Sequence, residues 1–110
     1  MYKQPDCSVI VPTYNRFSSL LETLVSLSNQ SITPAYFEVI VVDDGSTDLV
    51  PSWLNAPQFR FTLKYLRQDN AGAAAARNHG AYNSDGLFLV FIDDDITLHP
   101  EYLRAIAAVH

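Results

Sequence analysis

Four short apolar segments, separated by stretches with helical periodicity, organise the chain. Segments 7–11, 39–42, 59–66 and 87–92 have the length and composition of β-strands. The second and fourth, VIVV and LFLVFI, lack polar alternation, which predicts strands buried on both faces of a parallel sheet. The third, FRFTLKYL, alternates apolar and polar residues, which indicates a strand with one hydrated face near an edge.

The segments between these strands predict helices. Apolar residues at three- and four-residue steps over 17–27 form a stripe that would face the sheet. A shorter segment at 47–54, an alanine-rich segment at 72–82 and a last helix starting at Pro100 complete the pattern. Alternating strands and helices predict parallel strands joined by right-handed crossovers. We therefore expect an α/β, Rossmann-like sheet with strand order 3-2-1-4 and helices on both faces.

Composition restricts the class of protein. The 110 residues are 48% hydrophobic and 17% charged, as expected for one folded domain. A net charge of −5 argues against binding of a nucleic-acid backbone. No apolar run approaches the roughly 20 residues of a membrane helix, and no secretory signal is evident. The single cysteine, Cys7, indicates a reducing compartment. We expect a cytoplasmic location, with membrane association left open for a longer parent protein.

Carboxylates cluster directly after two of the predicted strands. In a parallel sheet, ligands bind beyond the carboxyl ends of the strands. Asp93, Asp94 and Asp95 follow the fourth strand, and like charges about 4 Å apart repel by roughly 4 kcal/mol at an effective dielectric near 20. A divalent cation would remove this repulsion. Asp93 and Asp95, two residues apart, are the predicted oxygen ligands of Mn²⁺ or Mg²⁺, with Asp94 directed elsewhere. Because two carboxylates leave coordination positions open, a phosphorylated ligand is also predicted, and Arg77 is a candidate cation for its phosphates.

Four motifs then resemble a known family. They are SVIVPTYNR at 8–16, EVIVVDDGS at 38–46, NAGAAAARNHG at 70–80 and FIDDD at 91–95. In this order and spacing they resemble the family 2 glycosyltransferases of the GT-A fold. The resemblance implies a metal-dependent, inverting transfer of a sugar from a nucleotide diphosphate sugar, usually a UDP-sugar, to an acceptor hydroxyl.

The resemblance also implies roles for individual residues. The implied nucleotide-sugar contacts come from all four motifs: Pro12, Thr13, Tyr14, Asp44, Arg77 and Asp94. Among them, Asp44 would accept a hydrogen bond from the base, Asp94 would lie at the ribose and Arg77 at the diphosphate. Asp93 and Asp95 would hold the metal. Asp43 would instead support its own loop.

The family's acceptor half is not evident in this chain. In the family it follows the Asp-x-Asp strand and supplies the general base, whereas this chain ends at His110. We expect residues 1–110 to be the donor-binding part of a GT-A domain, with no catalytic base and little transfer activity alone. His99 is expected to cap a helix. An apolar surface left near the fourth strand and last helix would favour self-association, so a homodimer is compatible with the sequence.

Three other interpretations remain open. Asp93-x-Asp95-x-Thr97 matches the nucleophile motif of haloacid dehalogenase-type phosphatases, in which Asp93 would be the nucleophile and Asp95 the general acid. A phospho-receiver domain would also use an acidic pair after a strand. Both need a lysine late in the chain, but the only lysines are Lys3 and Lys64. The third alternative is a non-catalytic α/β interaction module.

Overall fold

A computed structural model describes residues 4–54 and 59–109 of the chain. Its strands and longer helices are β1 Cys7–Thr13, α1 Phe17–Ser28, β2 Phe37–Asp43, β3 Thr62–Arg67, α2 Ala73–Tyr82, β4 Phe88–Phe91 and α3 Tyr102–Val109. Two 3₁₀ turns, Pro34–Tyr36 and Ser52–Leu54, precede β2 and β3. None of the helices in these ranges is long and apolar enough to cross a membrane.

The strands form one parallel sheet in the order β3-β2-β1-β4, which confirms the predicted topology. β1 lies inside the sheet between β2 and β4. Its register with β2 runs from the pair Cys7 and Phe37 to the pair Thr13 and Asp43. The polar segments that follow β1 and β2 therefore emerge side by side at one edge.

Helices cover both faces of the sheet, as predicted. Along β1, Val9 and Val11 join the larger core, to which α1 contributes Leu20 and α3 contributes Leu103. Ile10 points to the opposite face, where α2 packs through Ala76. The slim alanine-rich helix lies close to the strands because its buried side carries almost no side-chain volume.

One predicted helix does not form, β3 starts later than predicted, and most other element boundaries differ from the predictions by only one or two residues. The predicted helix at 47–54 is wrong, because only the turn Ser52–Leu54 forms there. The backbone N–H groups of Thr47 and Asp48 instead donate to the side chain of Asn15. β3 begins at Thr62 rather than at residue 59, and the rings of Phe59 and Phe61 before it stack at a centroid distance of 5.2 Å against the core. α3 begins at Tyr102, two residues after the predicted start.

The predicted burial is right for β2 and β3 but wrong for β4. All seven residues of β2 are buried, whereas β3 is a half-buried edge strand. Within the described residues, β4 pairs with β1 alone. Phe88 and Val90 pack on the core, whereas Leu89 and Phe91, on the face that α2 covers over β1 and β2, are 37% and 48% exposed. An apolar surface does lie beside the fourth strand, and dimerisation through it stays a prediction.

Candidate functional site

A hollow of about 320 Å³ at the carboxyl edge of the sheet brings together every residue predicted for the site. Its lining residues are Pro12, Thr13, Tyr14, Arg16, Asp44, Ala73, Arg77, Asp93, Asp94 and Asp95. The volume lies at the lower end of the range of about 300–1,000 Å³ that is typical of ligand pockets. Eight side chains from four separate motifs thus share one surface, and Arg16 and Ala73 lie with them.

Asp94 connects the segment after β4 to the end of β1. It is only 3% exposed, and its Oδ2 accepts a hydrogen bond from Thr13 Oγ1 at 2.8 Å. All three aspartates line the hollow, and Asp94 differs from its neighbours in being buried and bound to Thr13. β4 has already ended at Phe91, so these carboxylates lie on an irregular turn where strand alternation does not set their direction. Asp93 and Asp95 are exposed on either side of buried Asp94.

Arg16 is a residue of the site that the sequence analysis did not assign. Its Nε lies 3.5 Å from Asp94 Oδ1, and its Nη1 lies 3.3 Å from Asp95 Oδ2. The preceding residue, Asn15, has a positive φ of 51°, a conformation that asparagine tolerates better than most residues. Because the Asn15 side chain is tied to the backbone of Thr47 and Asp48, this turn is held in place directly before α1. The only sequence signal for Arg16 was its position in the first motif.

Asp43 supports the loop after β2, as predicted. Its Oδ1 accepts from the backbone N–H of Ser46 at 2.9 Å, and its Oδ2 accepts from Tyr65 Oη at 2.6 Å and Arg67 Nη1 at 2.9 Å. Burial on its own would raise the pKa of this carboxyl, but the hydrogen bonds and the Arg67 charge outweigh burial and lower the pKa. Asp43 is therefore a charged loop anchor.

Asp44 lies in the hollow, but its oxygens already have partners. Oδ1 accepts from Gln68 Nε2 at 2.9 Å and from the N–H of Ala71 at 2.8 Å. Oδ2 accepts from Asn70 Nδ2 at 3.1 Å and from the N–H of Gly72 at 3.0 Å. Burial would raise the pKa of Asp44, yet these bonds lower it overall. Four donors fill the roughly four lone-pair sites of a carboxylate. Asp44 thus anchors the loop that leads into α2, which the sequence analysis did not predict.

Arg77 projects from α2 at the hollow and is exposed. In residues 4–54 and 59–109 it makes no ion pair and no hydrogen bond, unlike Arg16. The lining contains four carboxylates and two guanidinium groups, so the hollow carries an excess of negative charge. An anionic ligand would be repelled here unless a cation entered with it.

The donor set at the rim fits a metal ion shared with a ligand. Among the described residues, no group of three or more His, Cys, Asp or Glu side chains is arranged to hold a metal. Asp93 and Asp95 offer only hard oxygen donors, the type that Mg²⁺ and Mn²⁺ prefer. Two exposed carboxylates fit a cation that takes its remaining ligands from phosphate oxygens and water. They do not fit a cation held by protein alone.

Comparison with known proteins identifies the family. Residues 8–110 match the family model for "Glycosyl transferase family 2". The chain belongs to this family. Relatives include validoxylamine A glucosyltransferase of Streptomyces hygroscopicus subsp. limoneus, 39% identical over 108 residues, and the poly(ribitol-phosphate) beta-N-acetylglucosaminyltransferase TarS of Staphylococcus aureus, 37% identical over 103 residues. The matches cover 96% and 92% of this chain but only 24% and 18% of those proteins.

Solved structures of the family share the fold. The crystal structure of S. aureus TarS 1-349 in complex with UDP-GlcNAc matches 94% of this chain and 30% of that one, with a TM-score of 0.86 and 36% identity. A mannosyltransferase from Pyrobaculum calidifontis, in complex with GDP-Man and Mn²⁺, matches 92% of this chain and 31% of that one, with a TM-score of 0.81 and 30% identity. The fold is thus part of a GT-A domain, and the family resemblance is confirmed. This family is different from the phosphatases and the phospho-receiver domains that were the alternative interpretations of the sequence.

Proposed function

We propose that residues 1–110 form the donor-binding part of an inverting glycosyltransferase that uses a nucleotide diphosphate sugar and a divalent metal. The observation that carries this proposal is the single hollow at the carboxyl edge of the sheet, which all eight residues predicted for donor and metal line. A UDP-sugar is the proposed donor, supported by the fold match to TarS with UDP-GlcNAc. The acceptor is a hydroxyl group. A cytoplasmic location stays a prediction.

The charge of the hollow supports the use of a metal. Because carboxylates outnumber guanidinium groups, the diphosphate of a donor would meet net repulsion. We assign Asp93 and Asp95 to Mn²⁺ or Mg²⁺, and Arg77 to the diphosphate. The bound ion would supply positive charge that stabilises the departing nucleoside diphosphate. The Mn²⁺ complex of the mannosyltransferase, to which this fold is similar, supports the use of a divalent metal.

The nucleoside would occupy the other side of the hollow. Tyr14 is 45% exposed and offers a ring surface beside Pro12 and Thr13. Asp94 is buried and held by Thr13, so its carboxylate is fixed in place for a ribose hydroxyl. Asp44, whose lone pairs are filled by the loop at 68–72, would contact a base only by sharing or exchanging one of these hydrogen bonds.

The general base is proposed to lie outside these residues. His99 Nδ1 accepts from the backbone N–H of Glu101 at 3.1 Å, the capping contact that was predicted. Glu101 accepts from Ser31 at 2.8 Å and pairs with Arg104 at 3.5 Å. Both groups face local partners rather than the hollow. We therefore expect donor binding without efficient sugar transfer by the 110-residue chain.

Calorimetry of UDP binding tests the proposal. UDP should bind in the presence of Mn²⁺ and should bind much more weakly when a chelator removes the metal. Asp95→Ala should abolish the metal-dependent part, whereas Asp48→Ala, an exposed carboxylate outside the hollow, should bind UDP as the unchanged chain does. Absence of both heat and a shift in melting temperature with UDP and Mn²⁺ would refute the proposal and favour a non-catalytic module.

A further inference from the structure

Arg16 contacts Asp95, one of the two carboxylates that the proposed function assigns to the metal, and also Asp94 beside it. Its guanidinium lies 3.3 Å from Asp95 and 3.5 Å from Asp94, between an exposed carboxylate and a buried one. We infer that Arg16 is an internal cation that neutralises this acidic turn when no metal is bound and that a divalent ion must displace. The inference rests on the proposed function, since the metal belongs to it.

The geometry allows the guanidinium to leave. The Arg16 side chain is 56% exposed, and Asp95 is 49% exposed, so both groups can regain water when the pair opens. Asp94 Oδ2 also accepts a hydrogen bond from Thr13, which does not involve the guanidinium of Arg16. The backbone at Arg16, by contrast, is held by the hydrogen-bonded turn at Asn15. The guanidinium is therefore a solvent-accessible group on a fixed attachment point, which suits a displaceable counter-ion.

Repulsion among the three carboxylates favours a cation at this place. Adjacent carboxylates repel one another, and without Arg16 the acidic turn would depend on solvent ions for compensation. An arginine fork contacts two carboxylates at once, which an ammonium group does less well. The arrangement would lower the affinity for metal in the absence of ligand. It would therefore favour entry of the metal together with a diphosphate, which also neutralises the displaced guanidinium.

Binding of Mn²⁺ alone, followed by the electron paramagnetic resonance signal of the free ion, tests the inference. Arg16→Gln should bind Mn²⁺ about two- to fivefold more tightly than the unchanged chain, the gain expected from removing half-exposed ion pairs. Arg16→Lys should lie between the two. Arg77→Gln is the matched control, because it removes the same charge from the same hollow without breaking an ion pair. Arg77→Gln should increase the affinity for Mn²⁺ clearly less than Arg16→Gln does.

Equal gains in Arg16→Gln and Arg77→Gln would overturn the inference, since they would reflect only the total charge of the hollow. Unchanged or weaker Mn²⁺ binding in Arg16→Gln, or no Mn²⁺ binding by any variant, would overturn it as well. UDP binding is measured separately by calorimetry. Tighter Mn²⁺ binding in Arg16→Gln together with no UDP binding would support the role of Arg16 and refute the proposed function, so the two failures are distinguishable.

Discussion

Asp44→Asn removes one charge and one acceptor from the loop anchor at the hollow. In the unchanged chain, the carboxylate accepts four hydrogen bonds from the segment at 68–72. The side-chain oxygen of an asparagine at this position can accept only two of these four hydrogen bonds. Its NH₂ group would then face the two remaining donors, one of which is a backbone N–H. The substitution therefore changes the local chemistry while keeping the size of the side chain.

The magnitude follows from the two lost bonds. A hydrogen bond to a charged group contributes about 1.5–3 kcal/mol. Residues 69–72 are exposed, so water can replace part of this loss. We expect a net destabilisation of about 2 kcal/mol. For a domain of this size, that corresponds to a fall in Tm of about 8–16 °C. Because the loop leads into α2, which carries Arg77, UDP affinity should fall as well.

Thermal melts at neutral pH measure this effect, with Asp69→Asn as control. Asp69 is an exposed neighbour in the same loop, and no hydrogen bond of its side chain is seen within residues 4–54 and 59–109. The control should melt close to the unchanged chain. A difference between the two variants of less than about 2 °C would refute the anchoring role of Asp44.

Acid unfolding supplies a second readout of the same anchor. The folded pKa values of Asp43 and Asp44 lie below the ordinary value of 3.8, so the unfolded chain binds protons more readily than the folded one. Their contribution to stability is present above pH 3.8 and is lost as the pH falls through the folded pKa values. In Asp44→Asn, the free energy of unfolding should therefore fall less between neutral and acid pH than it does in the unchanged chain. If Asp44→Asn shows the same dependence of stability on acid pH as the unchanged chain, the ionised Asp44 carboxylate does not stabilise the fold.

Three further predictions concern the sheet and its edges. Gly80→Ala should destabilise the fold by about 1 kcal/mol despite better helix propensity, because its Cβ would lie 2.6 Å from Ile10 Cγ2; urea unfolding measures this. Glu38→Gln should cost about 1–2 kcal/mol in the same assay, since the buried carboxylate accepts from a serine hydroxyl at 2.6 Å and pairs with a lysine at 2.9 Å. If the chain dimerises through β4, replacing both Leu89 and Phe91 by lysine should convert the dimer to a monomer, which sedimentation velocity measures. A monomeric unchanged chain would refute dimerisation through β4.

Local patterns were sufficient to predict most of the fold. The run VIVV in β2 has no polar alternation, and the structure buries it on both faces. The prediction of the same burial for the run in β4 is wrong, because apolar composition does not reveal whether a helix covers each face of a strand. The segment at 47–54 was also misassigned, since its N–H groups bind the Asn15 side chain, a contact about 30 residues away in sequence.

The site was predictable as a set of residues but not as a network. Parallel topology places the segments after β1, β2 and β4 at one edge, so motif position sufficed to bring Thr13, Asp44 and Asp95 together. The pairing of Arg16 with the acidic turn depends on the direction of a long side chain. The four bonds to Asp44 depend on the path of a loop. Neither leaves a periodic signal in the sequence.

If the acidic turn at 93–95 holds a cation that in turn binds a diphosphate, UDP affinity must depend on both the metal and the Asp95 carboxylate. Calorimetric titration of UDP into the chain, with and without Mn²⁺, tests it most directly when Asp95→Ala is run in parallel. We expect strong binding of UDP that requires both Mn²⁺ and the Asp95 carboxylate. Equal UDP affinity in the unchanged chain and in Asp95→Ala, both with Mn²⁺, would contradict it.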